Sequence, residues 1–149
     1  MKSWKEYAKW IKNEKPHYNL NHDLTSTDKK LRKRAKKAKK FKKKWGFRYE
    51  HTWCLDQEIA KFVLPRLAYL RDHHCGYPSC LCEFDRNYLP INEEEAEKQW
   101  VQILDDMCIA FELIIKDEIG GTKEEFERRQ ATIKKGLELF TKYFQNLWD

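Results

Sequence analysis

A dense run of positive charge lies between Lys29 and Arg48. Thirteen of these twenty residues are Lys or Arg, and none is Asp or Glu. The whole chain of 149 residues has 30 basic and 24 acidic side chains, so the remainder, with 17 basic and 24 acidic, carries a net charge of −7. A cationic segment on an acidic body attracts anions such as nucleic acid, a nucleotide, anionic lipid or an acidic protein surface.

The basic run has the periodicity of an amphipathic helix. Thr27 or Asp28 is suited to cap its N-terminus, and Gly46 is suited to end it. Its apolar side chains fall in a stripe about 120° wide: Leu31, Ala35, Ala38, Phe41 and Trp45. Nearly every exposed i,i+4 pair is like-charged, which costs roughly 0.2–0.5 kcal/mol per pair. We therefore expect this helix to need a docked stripe, or a bound anion, to be stable.

Helical periodicity also marks the segments on either side of the run. Residues 3–13 predict a short amphipathic helix, and residues 16–26 predict a loop. A longer helix is predicted from about Thr52 to Asp72, with a kink or a break at Pro65. Its expected core face consists of large apolar residues: Leu55, Ile59, Phe62, Val63, Leu67 and Leu70.

Two further helices are predicted, each preceded by a capping-box sequence. Asn92 with Glu95 opens the first, and Thr122 with Glu125 opens the second. The first has a broad apolar face that should be central to the core: Trp100, Ile103, Leu104, Met107, Cys108, Phe111, Ile114 and Ile115. The second has apolar positions spread along it: Phe126, Ile133, Leu137, Phe140, Phe144, Leu147 and Trp148.

These patterns predict an all-α fold. Four or five helices and no alternating strand pattern favour a single helical bundle with an N-terminal basic helix. We divide the chain into a short N-terminal helix and loop (1–28), the basic amphipathic helix (29–48) and a helical core domain (49–149).

The chain from Trp45 onward resembles a family of small helical proteins, without an assigned activity, that bacteriophages and mobile elements encode. The matching segments are WGF (45–47), TWCLDQEIAKFVLPRL (52–67), GYP (76–78), WVQILDDMCIAFEL (100–113) and GLELFTKYFQNLWD (136–149). Members of the family also tend to have a basic stretch before the GF element. The resemblance implies a phage protein acting in a bacterial host cytoplasm, and it implies no mechanism.

The basic helix is the candidate binding site, with a polyanion such as nucleic acid as the expected partner. Eight cations are the candidates for phosphate contact: Lys33, Arg34, Lys36, Lys37, Lys40, Lys43, Lys44 and Arg48. Trp45, Phe47 and Tyr49 are candidates for stacking on bases, or else they close the core. Two alternatives stay open: the helix lies on the acid-rich surface of its own chain, or it binds an acidic protein.

A second hypothesis is a host-directed counter-defence protein that binds a host protein or sequesters a nucleotide signal. No catalytic motif is present, so we expect a binding protein rather than an enzyme. No stretch reaches the roughly 20 apolar residues of a membrane span. Oligomeric state is not indicated.

The loop around GYP supplies five potential metal ligands: His73, His74, Cys75, Cys80 and Cys82. A tetrahedral zinc site needs four such groups, but C-x4-C-x-C is not a standard zinc spacing and no second CxxC completes it. We expect no cofactor, and a zinc-containing enzyme is the remaining alternative. A polar pocket that includes Trp53, Asp56 and Arg66 is another open possibility.

Overall fold

The computed structural model describes residues 1–13, 27–47, 52–117 and 120–148. Over these residues the chain is all-α and has no β-strand, as the sequence predicts. The described residues form α1 (Trp4–Asn13), α2 (Lys29–Trp45), α3 (Leu55–His73), α4 (Glu93–Lys116) and α5 (Lys123–Lys142). One short 3₁₀ turn, Ser79–Leu81, lies between α3 and α4, and another, Phe144–Asn146, follows α5. The loop predicted at 16–26 lies outside the described residues, and none of the described helices has the length and apolar character of a membrane span.

Contacts divide the chain into two compact units. The first unit comprises Met1–Lys12 and Ile59–Asp149, and the second comprises Asn13–Glu58. The boundary therefore falls inside α3, and α1 belongs with α4 and α5 rather than with its neighbour in sequence. The sequence-based division at residues 28 and 48 follows chain order, whereas this one follows contacts.

The apolar face of α4 is the centre of the first unit's core. Seven of its eight predicted core residues are buried and Ile114 is half-buried, so this prediction is confirmed. Tyr7 of α1, Leu64 and Leu67 of α3, and Tyr143 pack in the same cluster. The helix bundle of this unit is thus organised around one helix that is apolar over a wide arc.

The core face of α3 differs from the prediction. Leu55, Ile59 and Phe62 are about half exposed or more, at 53%, 48% and 61%. The buried apolar residues are instead Ala60, Leu64, Leu67 and Ala68, of which only Leu67 was predicted. The predicted core residues Val63 and Leu70 are half-buried and pack against the same core. Two of the fully buried residues are alanines, and a pattern that counts large apolar residues gives alanine little weight. The large apolar side chains of Leu55, Ile59 and Phe62 are therefore exposed to solvent.

Pro65 does not break α3, which is one continuous helix from Leu55 to His73. Proline lacks the backbone N–H that a helical residue donates to the carbonyl four positions earlier, so the helix has one hydrogen bond fewer at Lys61. Burial of Leu64 and Leu67, which lie close to Pro65 in the same helix, is the compensating contribution that we identify. Of the two predicted outcomes, a kink or a break, the break was wrong.

The helix caps agree with the sequence at two of three sites. The Thr122 hydroxyl accepts from Glu125 N at 3.2 Å, and the Glu125 carboxylate accepts from Thr122 N at 2.8 Å, which completes the capping box. Asp28 caps α2 by accepting from Lys30 N at 2.7 Å. Asn92 does not cap α4, because its side-chain oxygen accepts from Glu83 N at 2.6 Å and so braces the preceding loop.

Gly136 sets the closest approach between α4 and α5. A Cβ atom at this position would overlap the Ala110 methyl group and lie 2.8 Å from the Asp106 carbonyl oxygen. Next to this crossing, Lys135 Nζ lies 2.6 Å from the Asp106 carboxylate. Glycine is therefore required here by the packing of two helices rather than by backbone conformation.

Glu112 joins α1 to α4. Its carboxylate accepts from Lys2 Nζ at 2.7 Å and from the Tyr7 hydroxyl at 2.8 Å, and it pairs with Lys116 at 3.1 Å. Burial opposes ionisation of this carboxyl, but the three donors outweigh it and lower its pKa to about 2. Burial and the bond to Glu112 raise the pKa of Tyr7. The ionised form of Glu112 is thus the one the fold requires.

Replacing Gly136 by alanine should destabilise the first unit. Overpacking costs about 1–3 kcal/mol, and the better helix propensity of alanine returns about 1 kcal/mol. We expect a net loss of up to about 2 kcal/mol in urea unfolding. Gly76→Ala, which has open space around it, is the control and should be nearly neutral. In an Ala110→Gly background the loss caused by Gly136→Ala should be smaller than in the original chain; an equal loss in the two backgrounds would contradict the packing explanation.

Replacing Glu112 by glutamine should cost about 1–3 kcal/mol at neutral pH, since it removes bonds to charged donors. The folded-state pKa lies below the ordinary value of 4.5, so the stabilisation is fully present above pH 4.5 and is lost as the pH falls towards 2. The gap in stability between the two proteins should therefore narrow over that pH range, as followed by chemical unfolding. Glu138→Gln, on the exposed face of α5, should change stability by less than about 0.5 kcal/mol. A gap that does not change with pH would exclude this role for Glu112.

Candidate functional site

The basic helix predicted from the sequence forms as α2, Lys29–Trp45. It begins at the Asp28 cap and ends at Gly46, whose φ of 80° is in the left-handed region that glycine adopts readily. Ala35 and Ala38 in its apolar stripe are buried, and Leu31 and Phe41 are half-buried. Trp45 is 55% exposed, so the stripe is covered in its middle and open at its C-terminal end.

Every described cation among the candidates is exposed. These are Lys33, Arg34, Lys36, Lys37, Lys40, Lys43 and Lys44, whereas Arg48 lies outside the described residues. At 100° per residue, Lys33, Lys36, Lys40 and Lys43 fall within about 40° of the direction opposite the stripe. α2 is about 25 Å long, and the four ammonium groups form a line over nearly three of its helical turns.

No Lys or Arg of α2 forms an ion pair with Asp28, Asp56 or Glu58, the carboxylates of the second unit that the structure describes. By sequence, residues 13–58 hold 14 basic and 6 acidic side chains. The second unit therefore has more positive charge than its own carboxylates are able to balance.

The aromatic residues near the end of α2 contact one another and remain accessible. The rings of Phe41 and Phe47 meet edge to face with centroids 5.5 Å apart, and Phe47 is 43% exposed. Lys44 Nζ lies over the Trp45 ring at 4.6 Å from its centroid. Tyr49 lies outside the described residues. Trp45 and Phe47 thus keep an exposed ring face beside the cations.

The acid-rich surface that the sequence offered as an internal partner has ion pairs within the first unit. Asp105 accepts from Arg71 at 3.1 Å, and Asp106 pairs with Lys135. On the exposed start of α4, Glu94 pairs with Lys98 at 2.6 Å. Several of these carboxylates already have cationic neighbours close to them in the fold.

The five potential metal ligands of the loop do not converge. His73 stacks on Tyr69 with ring centroids 4.2 Å apart, and His74 Nδ1 donates to the Arg71 carbonyl at 3.0 Å. Cys82 donates to the Glu83 carbonyl at 3.3 Å, and Cys75 and Cys80 are exposed. In the described part of the chain no three His, Cys, Asp or Glu side chains are placed to hold a metal ion. The zinc alternative has no support from this arrangement.

A groove that sequence reasoning missed lies between α3 and the C-terminal segment. It has a volume of about 340 Å³ and is lined by Phe62, Tyr69, Leu147 and Trp148 among others. Arg66, a candidate from the sequence for a polar pocket, also lines this groove, and its guanidinium lies 3.7 Å from the centre of the Phe62 ring. The large apolar residues of α3 are the signal for this groove in the sequence, but their spacing predicts a core face.

A second cavity, of about 360 Å³, lies beside the GYP turn. Its lining comes from three separate segments: Cys75–Ser79, Trp100 on α4, and Asn146 with Trp148 near the end of the described chain. No local sequence pattern indicates this cavity, because its members are up to 73 positions apart.

Comparison of the chain with protein families, with curated proteins and with solved structures found no match.

The like-charged surface of α2 should make its backbone stability depend on counterions. Screening weakens i,i+4 repulsion, and a bound polyanion removes it. Amide hydrogen exchange in α2 should therefore slow by about threefold or more when salt rises from about 50 to 500 mM, or when polyphosphate is added. Amides of α4, which has both charge signs on its surface, serve as the internal control and should change little. Exchange in α2 that is insensitive to salt and to polyphosphate would contradict this.

Proposed function

We propose that this chain is a non-enzymatic binding protein that contacts nucleic acid through the basic face of α2. The observation that carries the proposal is a line of exposed cations without an ion pair to the described carboxylates of their own unit. Lys33, Lys36, Lys40 and Lys43 are the central contacts, because they lie opposite the buried stripe.

The physical basis is counterion release. A duplex carries one phosphate charge per about 1.7 Å of axis, so a helix of about 25 Å is long enough to lie near many phosphates. Neutralising them releases condensed cations into solution, which drives binding without reading the base sequence. We therefore propose little sequence preference for this contact.

Trp45 and Phe47 favour a further contribution on single strands. Unpaired bases stack on exposed aromatic rings, and each stack contributes about 1–3 kcal/mol. The half-exposed rings beside the cations fit this use. The bacteriophage setting that the sequence resemblance implies, in a host cytoplasm, is part of the proposal and places the nucleic acid in an infected cell.

A host-directed counter-defence role is the second candidate, and the groove of the first unit favours it. Tyr69 and Trp148 are 47% and 74% exposed there, and Arg66 holds its guanidinium at the edge. Trp, Tyr and Arg are the residues that dominate binding energy at protein interfaces. The occupant that fits is a host protein segment with an apolar anchor and a carboxylate for Arg66.

The first proposal predicts steeply salt-dependent binding to labelled duplex DNA. With six to eight phosphates contacted, the log–log slope of affinity against salt should be about −5 to −7. Replacing Lys33, Lys36, Lys40 and Lys43 together by glutamine should reduce the magnitude of the slope by about 3 to 4. Fluorescence anisotropy at several salt concentrations measures both quantities.

The matched control removes the same charge from the first unit, by glutamine at Lys9, Lys98, Lys123 and Lys134, which are exposed. It should keep a slope close to that of the original chain. Trp45→Ala should weaken binding to single-stranded DNA about five- to a hundredfold, with a smaller effect on duplex. Absence of binding at low salt, or equal effects of the two quadruple variants, would refute the proposal and favour the host-directed role.

A further inference from the structure

The cavity beside the GYP turn has aromatic walls that are held in place. Trp100 is only 2% exposed and its ring packs edge to face on Tyr143 at 5.6 Å between centroids. The Tyr77 hydroxyl donates to Cys82 Sγ at 3.6 Å, and this bond raises the pKa of Tyr77 to about 12. The Tyr77 ring is therefore anchored at its hydroxyl end.

Trp148 supplies an aromatic face that the fold does not use. Its indole lines the cavity and is 74% exposed, and no ring contact to it is present among the described residues. Exposing an indole to water is unfavourable, so a ring that covers it gains both burial and stacking. A planar ligand fits this requirement better than a branched aliphatic one.

Two polar groups at the cavity have hydrogen-bonding capacity to spare. Within the described chain, neither the Asn146 side-chain amide nor the Ser79 hydroxyl has a hydrogen-bond partner. An amide has a donor and an acceptor side by side, which matches the adjacent donor and acceptor on the edge of adenine. Among the described residues that line the cavity none carries a charge, so a phosphate finds no counterion there.

We infer that this cavity binds an uncharged nucleobase, stacked on Trp148 and hydrogen-bonded by Asn146. Its volume of about 360 Å³ is at the lower end of the range for small-molecule sites, which suits a base or a nucleoside. The site belongs to the first unit and uses stacking and neutral hydrogen bonds, whereas the proposed role of α2 uses charge. The proposed nucleobase site and the proposed contact of α2 with nucleic acid are therefore tested independently.

Calorimetric titration with adenosine tests the inference. A ligand of this size in such a cavity should bind with a Kd on the order of 0.1 mM. Adenosine and its monophosphate should bind within about threefold of one another, and the Kd should change little between about 50 and 200 mM salt. A short single strand of adenines in place of adenosine reports whether the base is taken from a nucleic acid rather than from a free nucleoside.

Trp148→Ala should weaken adenosine binding about fivefold or more, through loss of the stack. Asn146→Ala should weaken adenosine more than benzimidazole, which lacks the amino group that the amide recognises. Trp45→Ala, an exposed tryptophan outside this cavity, is the matched control and should leave adenosine binding unchanged while it affects single-stranded DNA.

Three results would overturn the inference. The first is that adenosine shows no saturable binding up to about 10 mM. The second is that the Trp148→Ala variant binds adenosine as tightly as the original chain. The third is that adenosine monophosphate binds far more tightly than adenosine in low salt. The last result would point to a cationic site, and retention of that affinity in the quadruple glutamine variant of α2 would exclude α2 as its location. Circular dichroism of each variant shows whether the fold is kept.

Discussion

Burial of the broad apolar face of α4 is the interaction on which the first unit depends. Residues from α1, α3 and the end of α5 all reach this face, and Trp100, Leu104 and Met107 have almost no exposed surface. Fully burying such a side chain contributes about 1.5–3 kcal/mol, so the face is by far the largest favourable contribution that we identify. The polar contacts then select one arrangement: Gly136 fixes how closely α5 approaches, and Glu112 fixes where α1 lies.

This core allows the chain to concentrate charge elsewhere. By sequence the first unit is nearly balanced, with 16 basic and 18 acidic side chains, whereas the second has an excess of eight positive charges. Excess charge of one sign destabilises a compact state through self-repulsion. A bound anion would remove the free-energy cost of repulsion between the cations of α2, so the stability of this helix and anion binding would be coupled. An α2 that carboxylates of its own unit neutralised would bind a polyanion weakly. The absence of ion pairs between α2 and the described carboxylates of its unit is in this sense the property on which the proposed binding depends.

The sequence predicted those parts of the fold in which one face is apolar and the rest is charged. For α2 and α4 the contrast between faces is strong, so helix bounds, caps at Asp28 and Gly46 and the buried face of α4 were all predictable. The α3 face was mispredicted because both sides of the helix carry apolar residues. The buried side includes Ala60 and Ala68, which a search for large apolar residues passes over, whereas Ile59 and Phe62 on the other side are exposed. The sequence around Asn92 fits a helix cap. The backbone N–H of Glu83, nine residues earlier, donates to the same side-chain oxygen instead, and the capping pattern does not include this residue.

The candidate sites also differ in whether a local sequence pattern predicts them or only the tertiary fold forms them. Cations on a helix surface are visible in the sequence because each contributes its charge independently, and their mutual spacing follows from the helix alone. The cavity near the GYP turn depends on three segments that only the tertiary fold brings together, and its polar groups act through directional bonds with short range. Charge-driven and stacking-driven sites also differ in their response to salt, since screening weakens the first and leaves the second almost unchanged. A single salt titration with a polyanion and with a nucleoside therefore separates the two kinds of recognition without any mutation, because one affinity should fall by orders of magnitude over a range in which the other is constant.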